Sequence, residues 1–201
     1  MSLAGGTGSG LGTYLTYALK DNFEDAIIAN HVVWPYTSGE VVLQNYNSLL
    51  TLSHLYQCSD MIMAQQNSQL QEICTKLLAI KNVTMEDMNK VIAEKLASIL
   101  QPSFKEGLSP VDTLYQLTSS LACHPGFKMV SIKSIPHVSE RSMEFTMYLW
   151  SGLLKHLRQM LIADSAMEEG KVRYCLANFI QKKNRQMVFI FLPIFFAGLF
   201  R

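Results

Sequence analysis

Ala4-Gly5-Gly6-Thr7-Gly8-Ser9-Gly10, followed by Leu11-Gly12, is the stretch that decides how the rest of the chain is understood. Tyr14, Leu15, Ala18 and Leu19 then recur at helical spacing, so the glycines form a loop that opens a helix. Such loops bind phosphate because residues without Cβ let successive backbone N–H groups converge on an anion, while the helix N-terminus adds a favourable partial charge. A flexible Gly/Ser linker has the same composition, so glycine content alone leaves both readings open. Spacing removes two others. No Lys follows the glycines as a P-loop requires, and Gly-x-Gly-x-x-Gly fails in every register.

Outward from the loop, Ala26 to Trp34 carries Ile27, Ile28, Val32 and Val33, an apolar run suited to a strand buried on both faces, and Pro35 ends it. Asn47 to Gln57 reads as a helix with Leu49, Leu52 and Leu55 on one face, Met61 to Ala64 as a short strand, and Gln66 to Leu78 as an amphipathic helix. Thr84 at an N-cap with Asp87 three residues on opens a further helix, whose stripe is Met88, Val91, Ile92, Leu96 and Ile99. Strand, helix, strand, helix is an α/β layout. Gln101 to Pro110 reads as a linker, Val111 to Leu121 as a short helix and Phe127 to Ile135 as a strand. A long helix is expected from Met143 to Ile162, burying Phe145, Leu149, Trp150, Leu153, Leu157, Met160 and Leu161.

The 201 residues are 49% apolar and 16% charged, against about 25% charged in an average soluble chain. Part of the apolar surface is therefore expected to meet something other than water. Seventeen Lys plus Arg against 16 Asp plus Glu give a formal charge of +1, which excludes a general electrostatic grip on nucleic acid. Cys58, Cys74, Cys123 and Cys175 form no C-x-x-C pair, and the five histidines show no metal-ligand spacing. No metal site or catalytic residue is assigned. Nothing at the N-terminus has the form of a secretory signal, so a cytosolic protein is expected.

The wording of the loop, a small residue followed by Gly-Gly-Thr-Gly-Ser-Gly, resembles the tubulin signature. The resemblance runs on through Glu40 to Ser48, Asn67 to Cys74 and Leu157 to Met160, covering roughly residues 1 to 170. Trp34-Pro35-Tyr36, Gln44-Asn45-Tyr46-Asn47-Ser48 and Leu52-Ser53-His54-Leu55-Tyr56 are most similar to the delta class of the family. The resemblance implies a tubulin/FtsZ-like GTPase fold: the C-terminal half of the nucleotide domain with the central helix at 84–100 (residues 1–100), a linker and short helix (101–122), the start of an α+β intermediate domain (123–170), and a divergent apolar tail (171–201).

It also implies a nucleotide site for GTP. Gly5, Gly6, Thr7, Gly8, Ser9 and Gly10 match the phosphate loop, Glu40 the acidic ribose position, and Asn67 and Asn89 the asparagines that read guanine. A carboxylate accepts from ribose hydroxyls, and an amide offers both donor and acceptor to a purine edge. Asn67 equally suits a helix N-cap, and Glu40 alone would be a solvated turn residue. Met85 stands where the family stacks an aromatic ring, Gln44 where α and β tubulins carry a glutamate, and Gln116 where an α-like subunit offers a catalytic carboxylate.

Only Met1, Ser2 and Leu3 precede the loop, where the family has a buried strand and, before it, the segments that contact the β-phosphate and magnesium. The expectation is a chain that does not by itself hold GTP with whole-tubulin affinity. Met187 to Phe200 is an apolar run of 14 residues containing Pro193. As a helix it would span about 21 Å, short of a bilayer core of roughly 30 Å. A tail anchor, a buried strand or helix, and a tail unrelated to the family all remain open for it.

The resemblance implies other tubulins and microtubules as partners. It implies a structural role in centriole and basal-body triplet microtubules and cilium assembly, with residence in cytoplasm, cytoskeleton, centriole and cilium, and the nucleus as a further location. The rival reading is a membrane-associated, non-polymerising half-tubulin that works through its hydrophobic tail. Membrane contact by 187–200 is the less favoured of the two.

Overall fold

A computed structural model describes residues 1–36, 42–100, 110–139, 142, 149–167, 175–183 and 186–192. The chain is an α/β protein built on one five-stranded sheet, ordered β1 (Ala29–Trp34), β2 (Met61–Gln66), β3 (Met129–Ile135), β5 (Gln186–Leu192), β4 (Cys175–Lys183). β1, β2 and β3 are parallel; β5 runs antiparallel to both β3 and β4. Met1 to Leu3 lie against the free side of β1, with Ser2 bridged to Val33 in parallel and Leu3 N–H donating to the Val33 carbonyl at 3.2 Å. They form a short parallel strand end that runs straight into the glycine loop.

Alternation sends the side chains of β2 to two faces. Ile62 joins Leu3, Val32, Met129 and the buried Leu52 and Leu55 of α2 (Gln44–Cys58). Met61 and Met63 join Val130, Ile132, Ile99 of α4 (Met85–Leu100) and Leu117 and Leu121 of α5 (Pro110–Leu121). Both faces are covered, which is why β1 and β2 read as apolar runs. Pro110 at the first helical position loses no bond there, because that N–H has no intrahelical acceptor anyway.

Two helices depart, one wholly and one in part, from the apolar faces that their spacing marks. In α1 (Gly12–Asn22) the buried residues are Thr13 and Thr16, while Tyr14, Leu15 and Leu19 are exposed. The threonine hydroxyls donate within the helix, Thr13 to the Ser9 carbonyl and Thr16 to that of Gly12, so they are buried without losing a partner. In α2 Leu49 is exposed and only Leu52 and Leu55 of the expected trio reach the sheet. The last helix, α6 (Trp150–Met167), starts later than expected, and residues 143–148, Phe145 among them, lie outside the described residues. Its Leu153, Leu157 and Met160 pack against Ile135, whereas Leu149 and Trp150 precede that contact and are exposed.

The apolar segment near the C-terminus enters the sheet as a strand from Gln186 to Leu192, with Met187 opposite Ile135. Residues 193–200 lie outside the described residues. Among the described residues no helix is long and apolar enough to cross a membrane.

Candidate functional site

Parallel strands deliver their following loops to one edge of a sheet, and ligands of open α/β folds bind outside those carboxyl ends. Here the register fixes the level. Ser2 is bridged to Val33, Val33 is opposite Gln65, and Trp34 is opposite Gln66. Ala4, Pro35 and Asn67 therefore leave the sheet at nearly the same height. Three of the expected site segments begin there: the glycine loop, the β1–α2 connection that contains Glu40, and α3 (Asn67–Glu72). Glu40 itself lies outside the described residues.

The glycine loop is already wound. Gly6 has helical backbone angles, and a π-helical turn, Thr7–Leu11, continues directly into α1. The first bond of the turn runs from Ser9 N–H to the Gly5 carbonyl at 3.1 Å. The N–H groups of Gly5, Gly6, Thr7 and Gly8 precede it and have no intrahelical acceptor, as at any helix start. No acidic residue occupies this first turn. Ser9 is buried and its hydroxyl bonds to the carbonyls of Gly5 and Gly6, so this side chain closes the loop from within. Thr7 is exposed.

The glycines divide into two kinds. A Cβ on Gly8 would stand 2.9 Å from the Ser2 carbonyl oxygen, so Gly8 is required by the close passage of the chain's own backbone. Among the described residues Gly5, Gly6 and Gly10 have nothing within 4 Å of that position, and none of them adopts a left-handed backbone. Among the described residues nothing at these three positions calls for glycine.

Asn67 is half-buried and is the first residue of α3 (Asn67–Glu72, continued by a π turn Ile73–Leu77). The cap is the extended Gln66, with no side-chain capping bond, so the capping role open to Asn67 in sequence is not the one it takes. Asn89 is exposed in the second turn of α4. The two helices pack through Leu70 and Cys74 against Met88 and Val91, so the residue next to Asn89 sits in the seam between them. Met85 is exposed beside this region, and Gln116 is exposed on α5. Gln44, in contrast, is buried, and its Nε2 donates to the Tyr36 carbonyl at 3.1 Å.

Three contacts join these pieces that residue-by-residue reading of the sequence did not assign. Asn47 Nδ2 donates to the Ala4 carbonyl at 3.0 Å, Gln44 holds Tyr36 as above, and the Tyr36 hydroxyl donates to Met88 Sδ at 3.6 Å. The available signal was a pair of amide side chains three residues apart in the first turn of a helix. A cavity of ≈ 570 Å³ runs between α1 and α2 from Ser9 and Gly10 past Tyr14, Tyr17, Leu50 and His54. Of the expected nucleotide residues Ser9 and Gly10 line it, whereas Asn67 and Asn89 do not.

Comparison with known proteins bears on the same segments. The Tubulin/FtsZ family, GTPase domain, matches residues 1–75, from the strand end through α3. The tubulin delta chain of Homo sapiens is 48% identical over 177 residues, covering 87% of this chain and 39% of the human one. The delta chain of Mus musculus is 46% identical over 173 residues, and a tubulin gamma chain of Saccharomyces cerevisiae 33% identical over 143. The chain thus spans about 39% of the length of the human delta chain it matches. With the glycine loop, the parallel strands beside it and the identity to delta chains in agreement, the chain belongs to the tubulin family.

Proposed function

We propose that this chain is a delta-tubulin-like cytoskeletal protein that binds a guanine nucleotide at the carboxyl edge of its parallel strands. The observation that carries the reading is the state of Gly5, Gly6 and Gly10, which are glycine although their own surroundings would accept a Cβ. The N–H groups of Gly5, Gly6, Thr7 and Gly8 have no intrahelical acceptor, and a helix start favours negative charge. The phosphates are assigned to Gly5 through Gly10, with Thr7 as the exposed hydroxyl and Ser9 as the residue that shapes the loop. Asn67 and Asn89 are assigned to the base, and Glu40 to the ribose.

Neither asparagine side chain has a hydrogen-bond partner among the described residues, so each keeps its donor and acceptor for a ligand. Magnesium belongs to the family expectation. Among the described residues no three His, Cys, Asp or Glu side chains come together that could hold a metal, so no step is assigned to it. The domain partition at 100, 122 and 170 is likewise carried by the family likeness. The sheet itself runs across it, since β2 and β3 are hydrogen-bonded neighbours.

The cellular role follows from likeness to delta chains: assembly with other tubulins, at centrioles, basal bodies and cilia. Two experiments test the proposal. Competition between GTP and ATP for a fluorescent guanine nucleotide should favour GTP, with the preference reduced in Asn67→Ala and Asn89→Ala; equal competition by ATP would overturn the base assignment. A tagged chain should mark centrioles, and a membrane pattern lost on deleting residues 187–200 would overturn the cytoskeletal assignment.

A further inference from the structure

We propose that Asn47 and Gln44 are positioning residues that hold two nucleotide-site segments in fixed relation from behind; this rests on the guanine-nucleotide reading above. Three residues apart in the first turn of α2, they are neighbours on one helix face. Asn47 holds the carbonyl of Ala4, the residue before Gly5, at 3.0 Å, and Gln44 holds that of Tyr36, two residues past β1, at 3.1 Å. One helical turn thus anchors both segments where they leave the sheet.

The path continues. Tyr36 donates to Met88 on α4, the residue beside Asn89. Contacts therefore run from the phosphate loop, through α2 and Tyr36, to the helix assigned to the base. The chemistry requires uncharged donors. A backbone carbonyl only accepts, an amide NH₂ donates to it, and Gln44 is 7% exposed, where an ionised side chain would be costly. A glutamate at this place could not make the bond when ionised. Gln44 in this chain holds backbone.

The test uses the full 201-residue chain with Asn47→Ala and Gln44→Leu. Loss of one such hydrogen bond corresponds to about a 3- to 10-fold change in an equilibrium. In Asn47→Ala, GTP should compete about 3- to 10-fold less well while guanosine, which lacks phosphate, competes unchanged. Amide hydrogen exchange of Ser9, the first bonded N–H of the loop, should quicken while the centre of β2 stays protected. In Gln44→Leu the methyl resonance of Met88 should shift, since Tyr36 loses its anchor.

Equal loss for GTP and guanosine, or unchanged exchange at Ser9, would overturn the role of Asn47; an unmoved Met88 methyl would overturn that of Gln44. If the native chain binds no GTP, the nucleotide reading falls, and the exchange and methyl measurements still decide whether these residues hold the loops. Should Asn47→Ala not fold, Asn47→Leu removes the same donor at similar size without adding a charge and is measured in the same way.

Discussion

Trp34 and Gln66 sit side by side at the ends of two parallel strands. From that level β1 continues to Pro35 and Tyr36, and β2 leads directly into α3 at Asn67. With Ser2 bridged to Val33 on the other side of β1, the glycine loop starts from the same level. Residues scattered over more than 60 positions of sequence are thereby brought to one edge by register alone.

Gly8 and Gly10 separate two uses of glycine. Gly8→Ala should destabilise the fold, because its Cβ would lie 2.9 Å from the Ser2 carbonyl oxygen, a rigid backbone atom. Gly10→Ala meets nothing within 4 Å and should leave stability unchanged or raise it. Urea denaturation of both variants checks this, and equal destabilisation would contradict it.

Thr84 and Asp87 close a capping box at the start of α4. Thr84 N–H donates to Asp87 Oδ2 at 2.9 Å, its hydroxyl donates to the same oxygen at 2.8 Å, and Asp87 N–H donates to Thr84 Oγ1 at 3.3 Å. Thr84→Ala should cost about 1 kcal/mol, read as a lowered denaturation midpoint. The bonds from Thr84 hold the Asp87 carboxyl below its ordinary value, so this contribution is present above the ordinary carboxylate range and fades as pH falls through the lowered one.

His31 and His137 make the fold acid-sensitive at a higher pH. Burial pulls each down to about 4, helped at His31 by the N-terminal amine and Lys95 and at His137 by Lys95. The unfolded chain takes up protons near 6.5. Between that value and about 4, unfolding binds protons that the folded state does not, so stability should fall as pH falls through this window. Denaturation midpoints between pH 7.5 and 4.5 should show the decline, and it should be shallower in His31→Gln and His137→Gln. A flat profile would contradict the burial of both rings.

Ala79 has φ = 56°, the left-handed region, just past the π turn that ends the α3 segment. A residue with a Cβ is strained there by roughly 1–2 kcal/mol. Ala79→Gly should therefore raise stability by about 1 kcal/mol, after the greater unfolded-state entropy of glycine is subtracted. A lowered midpoint would contradict the strain.

The α/β layout was legible because its signals are local. The Thr84–Asp87 pair capped a helix, Pro35 followed a strand, and the stripe of Met88, Val91 and Ile99 is buried as its spacing indicates. Which side of α1 turns inward was not legible, since Thr13 and Thr16 are buried only because carbonyls one turn back accept their hydroxyls. The strand at Gln186 to Leu192 was equally open, because an apolar run is neutral between strand and helix until a partner such as β3 is known. In the candidate site, the glycines were legible as a loop that opens a helix, and the asparagines were named only through the family resemblance. The contacts of Asn47 and Gln44 were not, because they join residues 43 and eight positions away.

The most direct test of the central claim is the GTP affinity of the native chain beside that of Gly6→Ala, with thermal midpoints of both. Gly6 has helical backbone angles and open space where a Cβ would stand. The native chain should bind GTP saturably and guanine-selectively, more weakly than a whole tubulin. The Gly6→Ala variant should be at least as stable but bind GTP at least tenfold more weakly. Equal GTP affinity in the two proteins would contradict the assignment of this loop to phosphate.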